Sequence, residues 1–216
     1  QAPRRPGYWS MWQFAWPLAM NQSAELGVVF TINIFLGRLP GAELAIAAFG
    51  VAHGLVGVLL GPMRNLSHTA QTLLAKHEDV RVLLIFSAQL ALLGAVGCIV
   101  LFNTPLTASV LHDLMGLDAQ LAAACEPSLR FAVLICAFWA FAALFRGMLA
   151  NARTTGALAL TGGLRVAVAA LVGTIGAWHG NVDGATLGMF AWIASYAIEM
   201  TITAHRLRQL NWFIPA

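Results

Sequence analysis

Near the start of the chain, Asn21, Gln22, Glu25 and Asn33 interrupt an otherwise apolar stretch. At about 100° of helical rotation per residue, Gln22, Glu25, Val29 and Asn33 fall on one stripe. A carboxylate in mid-bilayer is costly unless it is paired, protonated or hydrated. Glu25 therefore either lines a polar cavity, binding a cation or proton or pairing with an arginine, or is a neutral, hydrogen-bonded packing residue. Arg64, Arg130 and Arg165 lie inside or near the ends of apolar runs, and Glu199 lies at a depth similar to Arg64 and Arg165. Arg130 is close enough to an interface to snorkel. Arg165 and Glu199 form a structural ion pair, or the basic residues face a cytoplasm-open cavity that attracts an anionic substrate. The candidate substrate- or ion-binding residues are thus Gln22, Glu25, Asn33, Arg64, Arg165 and Glu199.

Gly50, Gly54, Gly57 and Gly61 are spaced four, three and four apart. Such a ridge lets another helix approach closely, or serves as a hinge. His53 neighbours the ridge, either as a hydrogen-bonded core residue or as an axial ligand to a haem or chlorophyll. Cys98, Cys125 and Cys136 show no paired or metal-like spacing and read as small packing residues. The chain has no phosphate-binding glycine loop, no His-Glu-x-x-His and no clustered Ser/His/Asp set. His112-Asp113 stands in a connection without an evident partner. The expectation is a protein that is not an enzyme and calls for no metal or cofactor.

The elements that carry these residues follow from composition. Of 216 residues, 59% are hydrophobic and 10% charged, with a mean hydropathy of +0.76. Soluble domains carry about 25% charged residues, so lipid must be the solvent for most of this surface. The twelve basic residues are not gathered into a patch, which argues against nucleic acid as a partner. Apolar runs over 12–36, 44–74, 82–102, 128–149, 157–178 and 185–204 predict an all-α bundle of about six transmembrane helices. Residues 1–11 form a leading segment and 206–216 a tail. The second run is too long for one upright crossing and contains Gly61-Pro62, so it bends there. Pro3, Pro6, Pro40, Pro105 and Pro127 fall at or between runs.

Arg4, Arg5, Lys76, Arg81, Arg146, Arg153, Arg206 and Arg208 lie at the termini and at the second and fourth connections. The other connections hold Arg38 and otherwise Glu43, Asp113, Asp118, Glu126 and Asp183. By the excess of basic residues on the cytoplasmic side, both termini are predicted in the cytoplasm, as suits an inner membrane. Tyr8, Trp9, Trp12 and Trp16, with Trp212 and Phe213, look like interfacial anchors on that side.

Phe14-Ala-Trp-Pro-Leu-Ala19, Asn21-Gln22-Ser23, Leu36-Gly-Arg-Leu-Pro-Gly41 and Ala45-Ile-Ala-Ala-Phe-Gly-Val-Ala52 resemble the first two helices of the MATE-like flippase superfamily, with the progressive-ankylosis type nearest in character. Phe145-Arg-Gly-Met-Leu149 with Arg153-Thr-Thr155 resembles the end of the fourth helix and the turn after it. Asp183-Gly-Ala-Thr-Leu-Gly188 resembles the start of the sixth. The resemblance implies one six-helix lobe of a two-lobed exporter, with Gln22 and Glu25 facing a central cavity. It further implies organic or phosphate-containing anions as substrates, or, in the drug-exporting branch, cations moved against Na⁺ or H⁺. Since this chain has the length of one lobe, the lobe works as a dimer, as half of a larger transporter, or as a non-transporting structural subunit of a membrane complex. The expected partners are the lipid bilayer and a second copy or other membrane subunits.

Overall fold

The computed structural model describes residues 7–74, 79–180 and 182–212. Among these residues every regular element is helical. Five helices are long and apolar enough to cross a membrane: α2 (Ala42–Leu59), α5 (Asp79–Phe102), α8 (Val133–Asn151), α9 (Thr155–His179) and α10 (Gly184–Gln209). Their outer faces leave large apolar side chains bare; Leu93 is 68% exposed and Val58 82%. An apolar surface this extensive is stable against hydrocarbon, not water. The chain is an all-α polytopic membrane bundle.

The helix α1 (Tyr8–Leu36) has 29 residues and at 1.5 Å each is about 44 Å long. It has the length of a span, but Asn21, Gln22, Glu25 and Asn33 dilute its hydropathy, and it is not among the five helices apolar enough to cross. Helix begins at Tyr8, so residues 8–11 belong to α1 and not to a separate leading segment. Tyr8, Trp9, Trp12 and Trp16 are exposed there, and the Trp12 and Trp16 rings stack 5.5 Å apart. Arg4, Arg5, Lys76, Phe213, Pro3 and Pro6 lie outside the described residues.

The run 44–74 divides into α2, α3 (Gly61–Arg64) and α4 (Leu66–Leu73). Pro62 falls in the first turn of α3, where its missing N–H leaves no helical bond unmade. The run 128–149 is not one helix. Residues 128–130 end α7 (Ala119–Arg130), and α8 starts after a break at Phe131 and Ala132. Pro127 lies near that break, and the backbone tightens through bonds from Phe131 to Ser128 and from Ala132 to Leu129. α7 is too short to span. Its first turn is capped by Asp118, whose carboxylate accepts from the Leu121 N–H at 2.8 Å. Between α5 and α7 lie α6 (Leu106–Ala108) and a π-helical turn, Ser109–Leu114, in which the His112 ring bonds the Leu117 carbonyl at 3.1 Å. Asp183 caps α10 in the same way, accepting from Thr186 N–H at 3.1 Å.

α8 and α10 are the central pair. α8 touches α4, α5 and α10, while α10 also touches α1, α2, α7 and α9. Glycines permit close approaches to this pair. A Cβ on Gly147 would collide with the Ser67 carbonyl oxygen of α4, and one on Gly188 with the Phe49 ring of α2. The Gly50, Gly54, Gly57 and Gly61 ridge behaves otherwise: a Cβ at any of them would meet no atom within 4 Å. The expected ridge packing therefore does not occur among the described residues, where these glycines face no neighbouring helix.

Candidate functional site

The break after Leu60 brings Arg64 out of line with α2 and opposite α1. Its Nη2 donates to Glu25 Oε1 at 3.2 Å, and its guanidinium carbon lies 5.3 Å from the centre of the Trp139 ring. The pair is only part-covered, with side chains 54% exposed for Arg64 and 22% for Glu25. A guanidinium left bare to hydrocarbon would be costly, so the space in front of it is polar. That space is a cavity of about 190 Å³ lined by Gln22, Glu25, Arg64, His68, Trp139 and Arg146, with Ser67 and Ala143 completing the wall.

Behind the cavity wall stands a second charge cluster. Glu199 of α10 is fully buried and serves two arginines. Arg165 of α9 places Nη1 3.2 Å from Glu199 Oε2. Arg146 of α8 places Nε 3.3 Å from Oε1 and donates from Nη2 to Oε2 at 3.5 Å. Arg165 is itself fully buried, its guanidinium 4.2 Å from the centre of the Tyr196 ring. Arg146 is the member that bridges the cluster and the cavity. With Glu25 and Arg64 included, three guanidinium groups face two carboxylates, which leaves one positive charge in excess.

Aromatic rings support both clusters. Trp139 stacks on Tyr196 at 5.0 Å and meets the edge of Trp192 at 5.3 Å. His53 continues the column, 4.5 Å from Trp192 and 5.7 Å from Phe49. It is thus in contact with two rings of the bundle interior.

The structure brings Gln22, Glu25 and Arg64 together around the cavity, and Arg165 and Glu199 together behind it. Arg165 does not face the cavity, contrary to the expectation of a patch open to solvent. Asn33 lies two turns along α1 from Glu25 and lines no part of the cavity. Arg130 is exposed and pairs with Glu126 at 3.5 Å, at the other end of the bundle. Sequence reasoning missed Arg146, which it assigned to a connection; the residue is 7% exposed within α8. The available signal was the stripe Trp139, Ala143 and Arg146, spaced four and three. It also left out Asn21, which fastens α1 to α9 by donating to the Leu158 carbonyl at 2.8 Å and to Thr161 Oγ1 at 3.3 Å. Among the described residues, no three His, Cys, Asp or Glu side chains gather as a metal site requires.

Comparison with protein-family models, with curated proteins and with solved structures finds no match.

Proposed function

We propose that the chain is one lobe of a membrane exporter for a small anionic solute. The observation that carries this is Arg146: it lines the cavity beside Arg64, while its carboxylate partner is already shared with Arg165. One carboxylate between two guanidinium groups leaves positive potential on the side that Arg146 presents, and low-dielectric walls strengthen it for an entering anion. The resemblance of 14–52 and 145–155 to the progressive-ankylosis type, the anion-associated branch of the MATE-like superfamily, supports the same substrate class. The basic residues at one end support an inner-membrane orientation with both termini cytoplasmic. The lobe would complete its cavity with a second copy or a second, separate lobe.

The test is uptake by proteoliposomes of citrate, inorganic phosphate and a cationic dye. The expected result is uptake of an anion but not of the dye, abolished by Arg64→Gln in protein that still folds. Unchanged uptake by folded Arg64→Gln would overturn the proposal.

The open ridge of Gly50, Gly54, Gly57 and Gly61 favours a second reading, a non-transporting subunit that packs against other membrane proteins. Assembly state in mild detergent separates the two. A homodimer around a polar cleft supports transport, and a fixed stoichiometry with unrelated subunits supports the structural role.

A further inference from the structure

Cys98 lies one turn before the end of α5 and Cys136 one turn after the start of α8. Their sulfurs are 3.6 Å apart, and both residues are buried. Gly94, one turn before Cys98, presents no side chain; a Cβ there would come within 3.7 Å of the Cys136 sulfur and collide with the Met63 methyl. The two helices can therefore approach closely at this level. Cys125, the third free thiol, lies 3.7 Å from the Ala48 carbonyl. The spacing of 38 residues between Cys98 and Cys136 gave no hint of this contact.

We infer that Cys98 and Cys136 form an oxidisable dithiol, which peroxide closes into a reversible disulfide joining α5 to α8. A disulfide has its sulfurs about 2.05 Å apart, so closure needs the two sulfurs to approach by roughly 1.5 Å. One thiol attacks a peroxide oxygen, forming an S–O bond and breaking the O–O bond as water leaves. The other thiol then attacks the sulfenic sulfur, forming the S–S bond and breaking the S–O bond as a second water leaves. The two thiols together give up two electrons and two hydrogens, and hydrogen peroxide is reduced to two waters. The pair lies near the end of the bundle that carries α6 and α7, so the oxidant has little of the membrane to cross. The inference rests on the sulfur geometry and is independent of what the chain transports.

The test is thiol counting on the full chain in detergent micelles after hydrogen peroxide, with non-reducing peptide mass spectrometry. Titratable thiols should fall from three to one, with Cys98 and Cys136 in one linked peptide, and dithiothreitol should restore them. Cys125→Ser should fall from two thiols to none, and Cys136→Ala should keep both of its thiols. The oxidised protein should unfold at a higher temperature than the reduced form. Three thiols persisting after peroxide, linkage through Cys125, or a linkage only between two molecules would overturn the inference. The wild-type peptide map decides the matter even where a variant fails to fold.

Discussion

Glu25 with Arg64, and Glu199 with Arg146 and Arg165, are built from the same groups at almost the same separations, 3.2 Å in one and 3.2 and 3.3 Å in the other. They differ in what surrounds them. The first pair borders a cavity and is partly open; the second is buried among aromatic rings and the central helices, with Arg146 alone reaching the cavity wall. Separation alone therefore says little about what each cluster contributes. An open pair is screened and adds little to stability. A buried one is costly to create and far more costly to break, because the survivor is left charged without a partner.

The largest effect expected is from Arg165→Leu or Glu199→Leu alone. Each strands a buried charge and should lower unfolding stability by about 3–5 kcal/mol, read as a lower melting temperature in detergent. Replacing Arg146, Arg165 and Glu199 together by apolar residues of similar volume should recover most of that stability while anion uptake stays lost. A triple variant as unstable as the single ones would break the contrast, since the cost would then come from packing. Next in size is Gly147→Ala, which drives a methyl into the Ser67 carbonyl and moves α4 from α8. Overpacking of this kind costs about 1–3 kcal/mol and should also change uptake, because Ser67 and Arg146 share the cavity wall. A smaller stability change is expected for Arg64→Gln, within about 1 kcal/mol, although anion uptake disappears. A melting temperature that falls as far as that of Arg165→Leu would erase the distinction between the clusters. The smallest change belongs to Gly54→Ala. It meets no neighbour among the described residues and should leave the isolated chain unharmed or up to about 1 kcal/mol more stable, while weakening any assembly that uses the ridge.

The membrane bundle was legible because hydropathy is a property summed over twenty residues, and no local detail can hide it. The break at Gly61-Pro62 was legible because proline acts on its own backbone. α7 was not, since Gln120, Glu126 and Arg130 give it too little hydropathy to register as a span, yet it folds as a helix behind its Asp118 cap. In the site, Glu25 and Arg64 were visible as charges in apolar runs. Their meeting was not, because it depends on how the broken helix turns beside α1. Arg146 was misplaced because its proximity to the end of a run resembled a loop charge, and only the packing of α8 at the centre of the bundle buries it. Cys98 and Cys136 illustrate the same limit: contact between helices distant in sequence is set by packing, which spacing does not encode.

The interruption at residues 60–65 also has a mechanical meaning. Above it, α2 is attached to α7 and α10; below it, α4 is attached to α8, where Asn151 Nδ2 holds the Leu74 carbonyl at 2.8 Å. What began as one crossing is thus shared between two bodies, with Arg64 mounted at their joint. A local bend at this joint would lengthen or shorten the reach from Arg64 to Glu25, while Arg146 and Glu199 keep α8 joined to α10. The latch would open without the frame coming apart.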